Sequence, residues 1–563
     1  MLNPRTTGDR RRMIRLSRLT AFSLAIVAAG PAFCFSAGDV VRSHTAKKPL
    51  PAPIRTNDPV VSFIDQQIRQ GWTENDVVPS PAADDEEWLR RVHLDLVGHI
   101  PAWNEIDRFH HDKSPAKRAA LVDKLLDSPS YVRNWTTLWT NLTIGRKSVR
   151  FVNRAGMERF FREAFAQNRP WKEIVHDLVA AEGRSDENGA VNYLLAQMTN
   201  NDEAVQATAK TTRLFMGIQV QCTQCHDHPF NEWKQNRFWE INSFLRQTRR
   251  VTHRKFDPVS GRQIDDYAEL IPTNYSGPVY YEKRSGEMQV AYPIFFDDKV
   301  DAGSETNRRK ELAKLMTSGE TPLIARAMIN RTWAHFMGCG FTTPVDDMGR
   351  HKPASHPELL DRLSLEFVKN GYDVKKLIRW ICDSEAYSLT SKGNKKNAVD
   401  DPARGNTPLF SRMYPKPLEA EQLYDSLLIA TTAQNSGETN WSDAQKQRDD
   451  WLQQFIIAFG TDENDETNTF NGTIPQALLM MNGPLVQKAI SADKGSFLNS
   501  VLESDTSDEK KLQRLYLATL SRHPHGREES AAAALLESDR DRLTGFQDLF
   551  WALLNSNEFI INH

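Results

Sequence analysis

Apolar residues recur at helical spacing through most of the chain beyond residue 58, and no other sequence feature constrains the fold as strongly. The period changes within residues 248–300, where the stretch Val279–Tyr292 alternates apolar and polar residues around Gly286 and predicts a β-hairpin. We therefore predict a mainly α protein, with helical domains at residues 58–247 and 301–563 and a small β insert between them.

The N-terminus has the pattern of an export signal. An arginine-rich segment, Arg5–Arg18, precedes the apolar run Leu19–Phe35, and small residues follow. This order predicts a signal peptide at residues 1–37 and a linker at residues 38–57, and hence a periplasmic or extracellular protein. No later stretch is long and apolar enough to predict a membrane span after the signal is removed.

The charge and composition of the chain limit the classes of partner and of fold that we expect. The formal net charge is −2, so the balance of charges gives no basis for a nucleic-acid partner. Charged residues make up 26% of the chain and hydrophobic residues 39%, which is enough apolar material to build ordinary cores.

The clearest chemical motif is Cys-x-x-Cys-His, formed by Cys222, Cys225 and His226. In c-type cytochromes two such thiols bond the haem and the adjacent imidazole ligates the iron. With five cysteines and fifteen histidines in the chain, on the order of 0.001 such matches would arise by chance, so the motif needs a chemical explanation. An amphipathic pattern from Val205 to Met216 predicts a helix that leads into it.

The same residues suit two other chemistries. Cys222 and Cys225 could bind zinc together with His226 or His228, which makes both histidines candidate metal ligands. In an oxidising compartment the two cysteines could instead form a disulfide. The sequence leaves haem, zinc and disulfide open.

A second constellation lies in the C-terminal half. Asp346, Asp347 and His351 combine carboxylates with an imidazole and are candidate catalytic residues, for example as the base of a zinc-dependent hydrolase. Met348 is a candidate sixth ligand of a haem iron. If these residues work with the cysteine motif, the second helical region must fold back over the first.

Several longer motifs carry a resemblance to a known family. The chain resembles the secreted planctomycete-type proteins that pair two adjacent domains of unknown function, the first of which is labelled cytochrome-c-associated. The motifs in the first region are Phe63-Ile64-Asp65, Arg90–Pro101 and Gly217–Phe230, and those in the second are Asn330–Phe336, Pro344–Gly349, Ser355–Leu360 and Trp551–Phe559.

The resemblance implies which domains and proteins accompany this chain, and it implies no reaction. Members often carry a separate cytochrome c domain, which this chain lacks, and are often encoded beside sulfatase-like secreted proteins. The implied partners are therefore redox proteins or sulfatase-like proteins. Three functions stay open: a c-type haem electron-transfer component, a zinc-dependent hydrolase linked to polymer degradation, or a scaffold with a Cys-x-x-Cys disulfide. Whether the protein is an enzyme is left undecided.

Overall fold

The computed structural model describes residues 57–147, 150–198, 203–319, 323–436, 441–459, 473–538 and 541–563. The predicted signal peptide lies outside these residues, as does the predicted linker except for its last residue. Helix accounts for 56% of the structure and strand for 9%, and the sheets are small. The predicted mainly α fold is confirmed.

Ten α-helices are described before the β segment, and four of them begin with an N-cap side chain that accepts from a free backbone N–H. Asp58 accepts from Val60 N at the start of the first helix, and Ser128 accepts from Tyr131 N at the start of the fifth. The bounds are α1 Pro59–Glu74, α2 Asp85–Val97, α3 Trp103–His111, α4 Lys117–Leu126, α5 Pro129–Ile144, α6 Arg154–Ala166, α7 Trp171–Ala180, α8 Val191–Gln197, α9 Val205–Thr211 and α10 Gln235–Leu245.

Helix α2 is unusual because nearly all of it is buried although it is rich in charge. Its polar side chains are matched by partners far along the chain. Arg91 donates to Glu87 Oε1 at 2.9 Å and to the carbonyls of Tyr387 and Leu389 at 2.6 and 2.8 Å. The carboxylate of Asp95 lies 2.6 Å from Lys416 Nζ and accepts from Tyr387 Oη and from Asn562 Nδ2 at 2.7 Å. Helix α2 therefore joins the two ends of the described chain.

The β segment follows α10. Strands β2 Thr248–Asp257 and β3 Arg262–Pro272 form a long antiparallel hairpin with a bulge between His253 and Arg254. The two-residue strand β1 Gly183–Arg184 pairs with β3 and ties this hairpin to the first helical region. The predicted hairpin is present as β4 Val279–Glu282 and β5 Met288–Ala291. The small pair β6 Ile294–Phe295 and β7 Asp298–Lys299 completes the segment.

The rest of the described chain is helical again, apart from a final strand pair. The helices are α11 Arg308–Thr317, α12 Leu323–Met337, α13 Pro357–Lys369, α14 Val374–Cys382, α15 Glu385–Ser388, α16 Ala420–Thr431, α17 Trp441–Phe459, α18 Ile474–Asn482, α19 Pro484–Ala489, α20 Phe497–Leu502, α21 Asp508–Leu520, α22 Gly526–Ser538, α23 Arg542–Leu554 and α24 Asn557–Ile560. Strand β8 Lys416–Pro417 pairs with β9 Ile561–Asn562.

The apolar interior forms two clusters. The larger takes side chains from both predicted helical domains, from Val60 to Tyr414, and the smaller is built mainly from residues Leu418 to Ile560. Helix α2 contributes to both, since Val92 belongs to the first and Leu94 to the second. The domain boundaries near residues 248 and 300 remain predictions. The change from the larger apolar cluster to the smaller one falls near Leu418 instead. In the described ranges no helix is long and apolar enough to cross a membrane.

Candidate functional site

The Cys-x-x-Cys-His motif lies on a short 3₁₀ turn, Gln221–Gln224. Thr223 holds the turn from inside, because its buried hydroxyl and its N–H both donate to the carbonyl of Val220, at 2.7 and 2.9 Å. The carbonyl of Gln224 accepts from the side chains of Gln235 and Trp239 on α10, each at 3.1 Å. The motif is therefore fixed to the body of the protein through its middle residues.

The three residues predicted to hold a cofactor point outward from this turn. Cys222 and Cys225 are exposed and both thiols are free. His226 is also exposed, and its Nδ1 lies 2.7 Å from the carbonyl oxygen of Asp227. Since a carbonyl oxygen can only accept, Nδ1 carries a proton, and in the neutral ring Nε2 then keeps a lone pair. Two thiols and one imidazole nitrogen are thus available to a ligand.

In His228 the proton lies on the other ring nitrogen, Nε2. Its Nδ1 accepts from the backbone N–H groups of Phe230 and Asn231, both at 3.2 Å, so the neutral ring carries its proton on Nε2. Burial lowers the pKa of His228, and the nearby His351 lowers it further. A neutral His228 with a protonated Nε2 fits a hydrogen-bond donor better than a metal ligand.

The segment predicted to form the second constellation packs against the approach to the motif. Met348 N donates to the carbonyl of Gly217 at 2.9 Å, and the Met348 methyl group rests on the Gly217 Cα. The buried Asp346 lies 2.9 Å from Arg213 Nε and accepts from Gln219 Nε2 at 2.7 Å. Asp346 thus holds the chain on both sides of Gly217.

Asp347 and His351 form a close pair. His351 Nε2 lies 3.1 Å from Asp347 Oδ2, which also lies 3.1 Å from Lys352 Nζ. The rings of His351 and His228 have centroids 5.6 Å apart. The second region does fold back over the first and brings His351 beside the cysteine motif, as a shared site requires. Asp346 and Asp347 are each paired with a cation, Arg213 and Lys352 respectively. Their role as a general base remains a prediction.

We asked whether these residues fit the groups that the sequence suggests. For haem, the two free thiols on one turn and the unprotonated Nε2 of His226 supply every protein atom that covalent attachment and proximal ligation need. For zinc, the described ranges hold no group of three or more His, Cys, Asp or Glu side chains placed to bind one ion.

Sequence reasoning missed the residues that hold the site in place. Arg213, Gln219, Gln235 and Trp239 were not among the candidates, although each fixes the motif or the segment beside it. Gln219 and Asp346 are 127 positions apart, and nothing in a single sequence pairs them. The acceptor role of His228 is local and could have been suspected from the turn-forming Pro229 and Asn231 that follow it.

Two family models together match most of the chain. Residues 63–250 match PSCyt2, described as a protein of unknown function (DUF1549), and residues 308–536 match PSD1, described as a protein of unknown function (DUF1553). No curated protein and no solved structure matches the chain. The chain therefore belongs to the proteins in which a DUF1549 domain is followed by a DUF1553 domain.

Proposed function

We propose that this is an exported c-type haem protein that passes electrons to or from a partner outside the cytoplasm. The observation that carries the proposal is the state of the motif: Cys222 and Cys225 are free and exposed on one anchored turn, and the adjacent His226 presents an unprotonated Nε2. The arginine-rich, apolar N-terminus supports export to the compartment where such attachment takes place.

The chain's own residues have distinct tasks in this function. Cys222 and Cys225 would hold the haem through thioether bonds to its two vinyl groups, and adding a thiol to a vinyl group needs no oxidant. His226 would hold the iron through Nε2, and the bond from its Nδ1 to the Asp227 carbonyl would orient the ring and raise its basicity. When bound, the haem would supply one-electron transfer.

His228 supports the site without competing for the metal. Its Nδ1 is occupied by two backbone N–H groups, which leaves the Nε2–H free to donate to an acidic group beside the motif. Met348 stays a candidate sixth ligand. Its half-buried side chain lies against the buried Gly217, five residues before Cys222 in the sequence. The proposed partners are redox proteins or sulfatase-like secreted proteins.

The test is covalent attachment. The full chain is produced in a host with a haem-maturation system, denatured, separated by electrophoresis and stained for haem peroxidase activity. We expect the wild type to stain and the double variant Cys222→Ala/Cys225→Ala not to stain. Cys339→Ala is the matched control, because Cys339 lies outside the motif, and it should stain like the wild type.

Three results would contradict the proposal. An unstained wild type with bound zinc would favour the zinc-dependent hydrolase, and one with a Cys222–Cys225 disulfide in its mass spectrum would favour the scaffold. Staining that persists in the double variant would show haem held elsewhere.

A further inference from the structure

A second site lies away from the cysteine motif, at the start of α2. A cavity of about 430 Å³ opens where this helix meets α21, α24 and β9. Its volume is within the range of small-molecule pockets. Polar side chains from four separate parts of the chain line it, including Glu86, Arg90, Lys392, His525 and Asn557.

Arg90 is the most unusual member of this lining. Its side chain is only 1% exposed, and its guanidinium donates to three backbone carbonyls, those of Thr519, Glu558 and Phe559, at 2.7 to 3.2 Å. Its Nε has no hydrogen-bond partner within the described residues. Carbonyl oxygens satisfy donors but do not neutralise the charge, and a buried cation without a direct counterion is costly.

Four acidic side chains line the cavity, Asp84, Glu86, Glu87 and Glu558, and protein donors already bind them. Asp84 accepts from Glu87 N at 2.9 Å, and Glu86 accepts from a backbone N–H at His523. Glu87 accepts from Arg91, from the Thr390 hydroxyl and from Ser391 N at 2.6 to 2.9 Å. Glu558 is bound by Arg522 through two contacts of 2.5 and 2.7 Å. The acceptors that line the cavity are therefore largely committed to protein donors.

The donors are not committed in the same way. The exposed side chains of Lys392, Asn557 and His525 line the mouth of the cavity, and within the described residues none of these side chains has a hydrogen bond or an ion pair with the protein. A cavity with free donors and occupied acceptors is complementary to a ligand rich in acceptors. Pro415, Leu520 and Ile561 complete the wall and offer an apolar surface to a carbon skeleton.

We propose that this cavity binds a small organic carboxylate, with the carboxylate received by Lys392 beside the buried Arg90 and the carbon skeleton against Leu520 and Ile561. An inorganic oxyanion shares the charged group but would leave most of the volume and the apolar wall unused. The site is independent of the proposed haem function, because none of its lining residues belongs to the cysteine motif or its surroundings.

Glu86 makes this binding depend on pH. Burial and the neighbouring Asp84 raise the pKa of Glu86 to about 7, while a backbone N–H at His523 and the cation of Arg522 oppose the rise; Asp85 is the remaining charged neighbour. Above pH 7 the carboxylate repels an anion, and below pH 7 the neutral acid can donate to it. We therefore expect the affinity for an anion to fall as the pH rises from 6 to 8.

The experiment measures binding to the full chain by isothermal titration calorimetry at pH 6. Succinate is the probe, butane-1,4-diol is its uncharged analogue and sulfate is the inorganic oxyanion. Lys392→Met should weaken succinate binding about tenfold, the loss expected for one charge-assisted hydrogen bond. Lys395→Met is the matched control, because Lys395 is exposed, lies three residues away and does not line the cavity.

We expect succinate to bind, butane-1,4-diol not to bind, and Glu86→Gln to flatten the fall in affinity between pH 6 and 8. The proposal is overturned if succinate gives no binding at about 10 mM, or if Lys392→Met and Lys395→Met bind it equally. Sulfate binding as tight as succinate, with the same loss in Lys392→Met, would show a general oxyanion site and would overturn the assignment of an organic carboxylate.

Discussion

The two polar motifs of this chain, Arg90–Pro101 and Gly217–Phe230, have opposite surroundings. In the first, charged side chains are buried and bound by partners hundreds of residues away, as with Asp95 and Lys416. In the second, Cys222, Cys225 and His226 are exposed and keep reactive atoms free. Buried, satisfied polar groups specify how a chain folds, whereas exposed, unsatisfied ones are available for chemistry. The contrast favours an architectural role for His93 and Asp95 in the first motif and a chemical role for the exposed side chains of the second.

The largest effect should come from breaking the buried motif. We expect Asp95→Ala to lower the free energy of unfolding by about 3 to 5 kcal/mol, because it leaves the ammonium of Lys416 partly buried beside an empty carboxylate position. Urea unfolding followed by circular dichroism measures this. The control is Asp107→Ala, an exposed carboxylate on α3, which should change the same free energy by no more than about 0.5 kcal/mol. A loss below about 1 kcal/mol in Asp95→Ala would contradict the architectural role.

The same motif should make stability depend on pH. Burial in α2 lowers the pKa of His93 from 6.5 to about 4, so between these values the unfolded chain binds a proton that the folded chain does not. Stability from this group is full above pH 6.5 and is lost as the pH falls towards 4, by about 2 to 3 kcal/mol.

The measurement is the free energy of unfolding at several pH values between 7 and 4.5. His93→Gln should lose less stability over this range than the wild type. His226→Gln is the matched control, because that side chain is exposed and its substitution leaves the burial of His93 unchanged. Equal slopes in His93→Gln and the wild type would refute the assignment to His93.

Periodicity was a good guide to the fold and a poor one to burial. The change from helical to alternating spacing located the hairpin β4–β5, because each pattern matches the geometry of one element. The burial of α2 could not be predicted in that way. Its arginines and Asp95 suggest an exposed face. Asp95 can be buried only because tertiary partners such as Tyr387 and Asn562 bind it.

The candidate site was partly predictable for a related reason. Cys222, Cys225 and His226 are adjacent in sequence, so spacing alone could nominate them. The contact between His228 and His351 joins two distant segments, and it depends on the packing of Met348 against Gly217. Such a contact follows from the complete fold and not from any local pattern. From the sequence alone, one could say only that the second helical region must fold back over the first for these residues to meet.

Gly217 allows the link between the two regions to be tested. Its φ is +66° and a Cβ there would lie 2.3 Å from the Met348 methyl carbon, whereas Gly261 has the same φ with nothing within 4 Å. Gly261→Ala should therefore lower the free energy of unfolding by about 1 kcal/mol, through backbone strain alone. Gly217→Ala should lower it by about 1 to 2 kcal/mol more, because the new Cβ displaces Met348. Urea unfolding of both variants gives the difference. Equal costs would mean that Met348 does not press on Gly217.

The smallest effect should come from the exposed motif itself. Cys222→Ala/Cys225→Ala removes two thiols that are exposed and unpaired, while the bonds that anchor the turn, from Thr223 to Val220 and from Gln235 and Trp239 to the Gln224 carbonyl, involve other residues. In protein made without haem maturation, we expect the free energy of unfolding to stay within about 0.5 kcal/mol of the wild type. Thr223→Ala is the matched comparison, because it removes a buried hydroxyl bond from the same turn and should cost about 1 kcal/mol. If the double cysteine variant were the less stable of the two, the thiols would have a structural role, such as a disulfide, and the division between an architectural and a functional motif would fail.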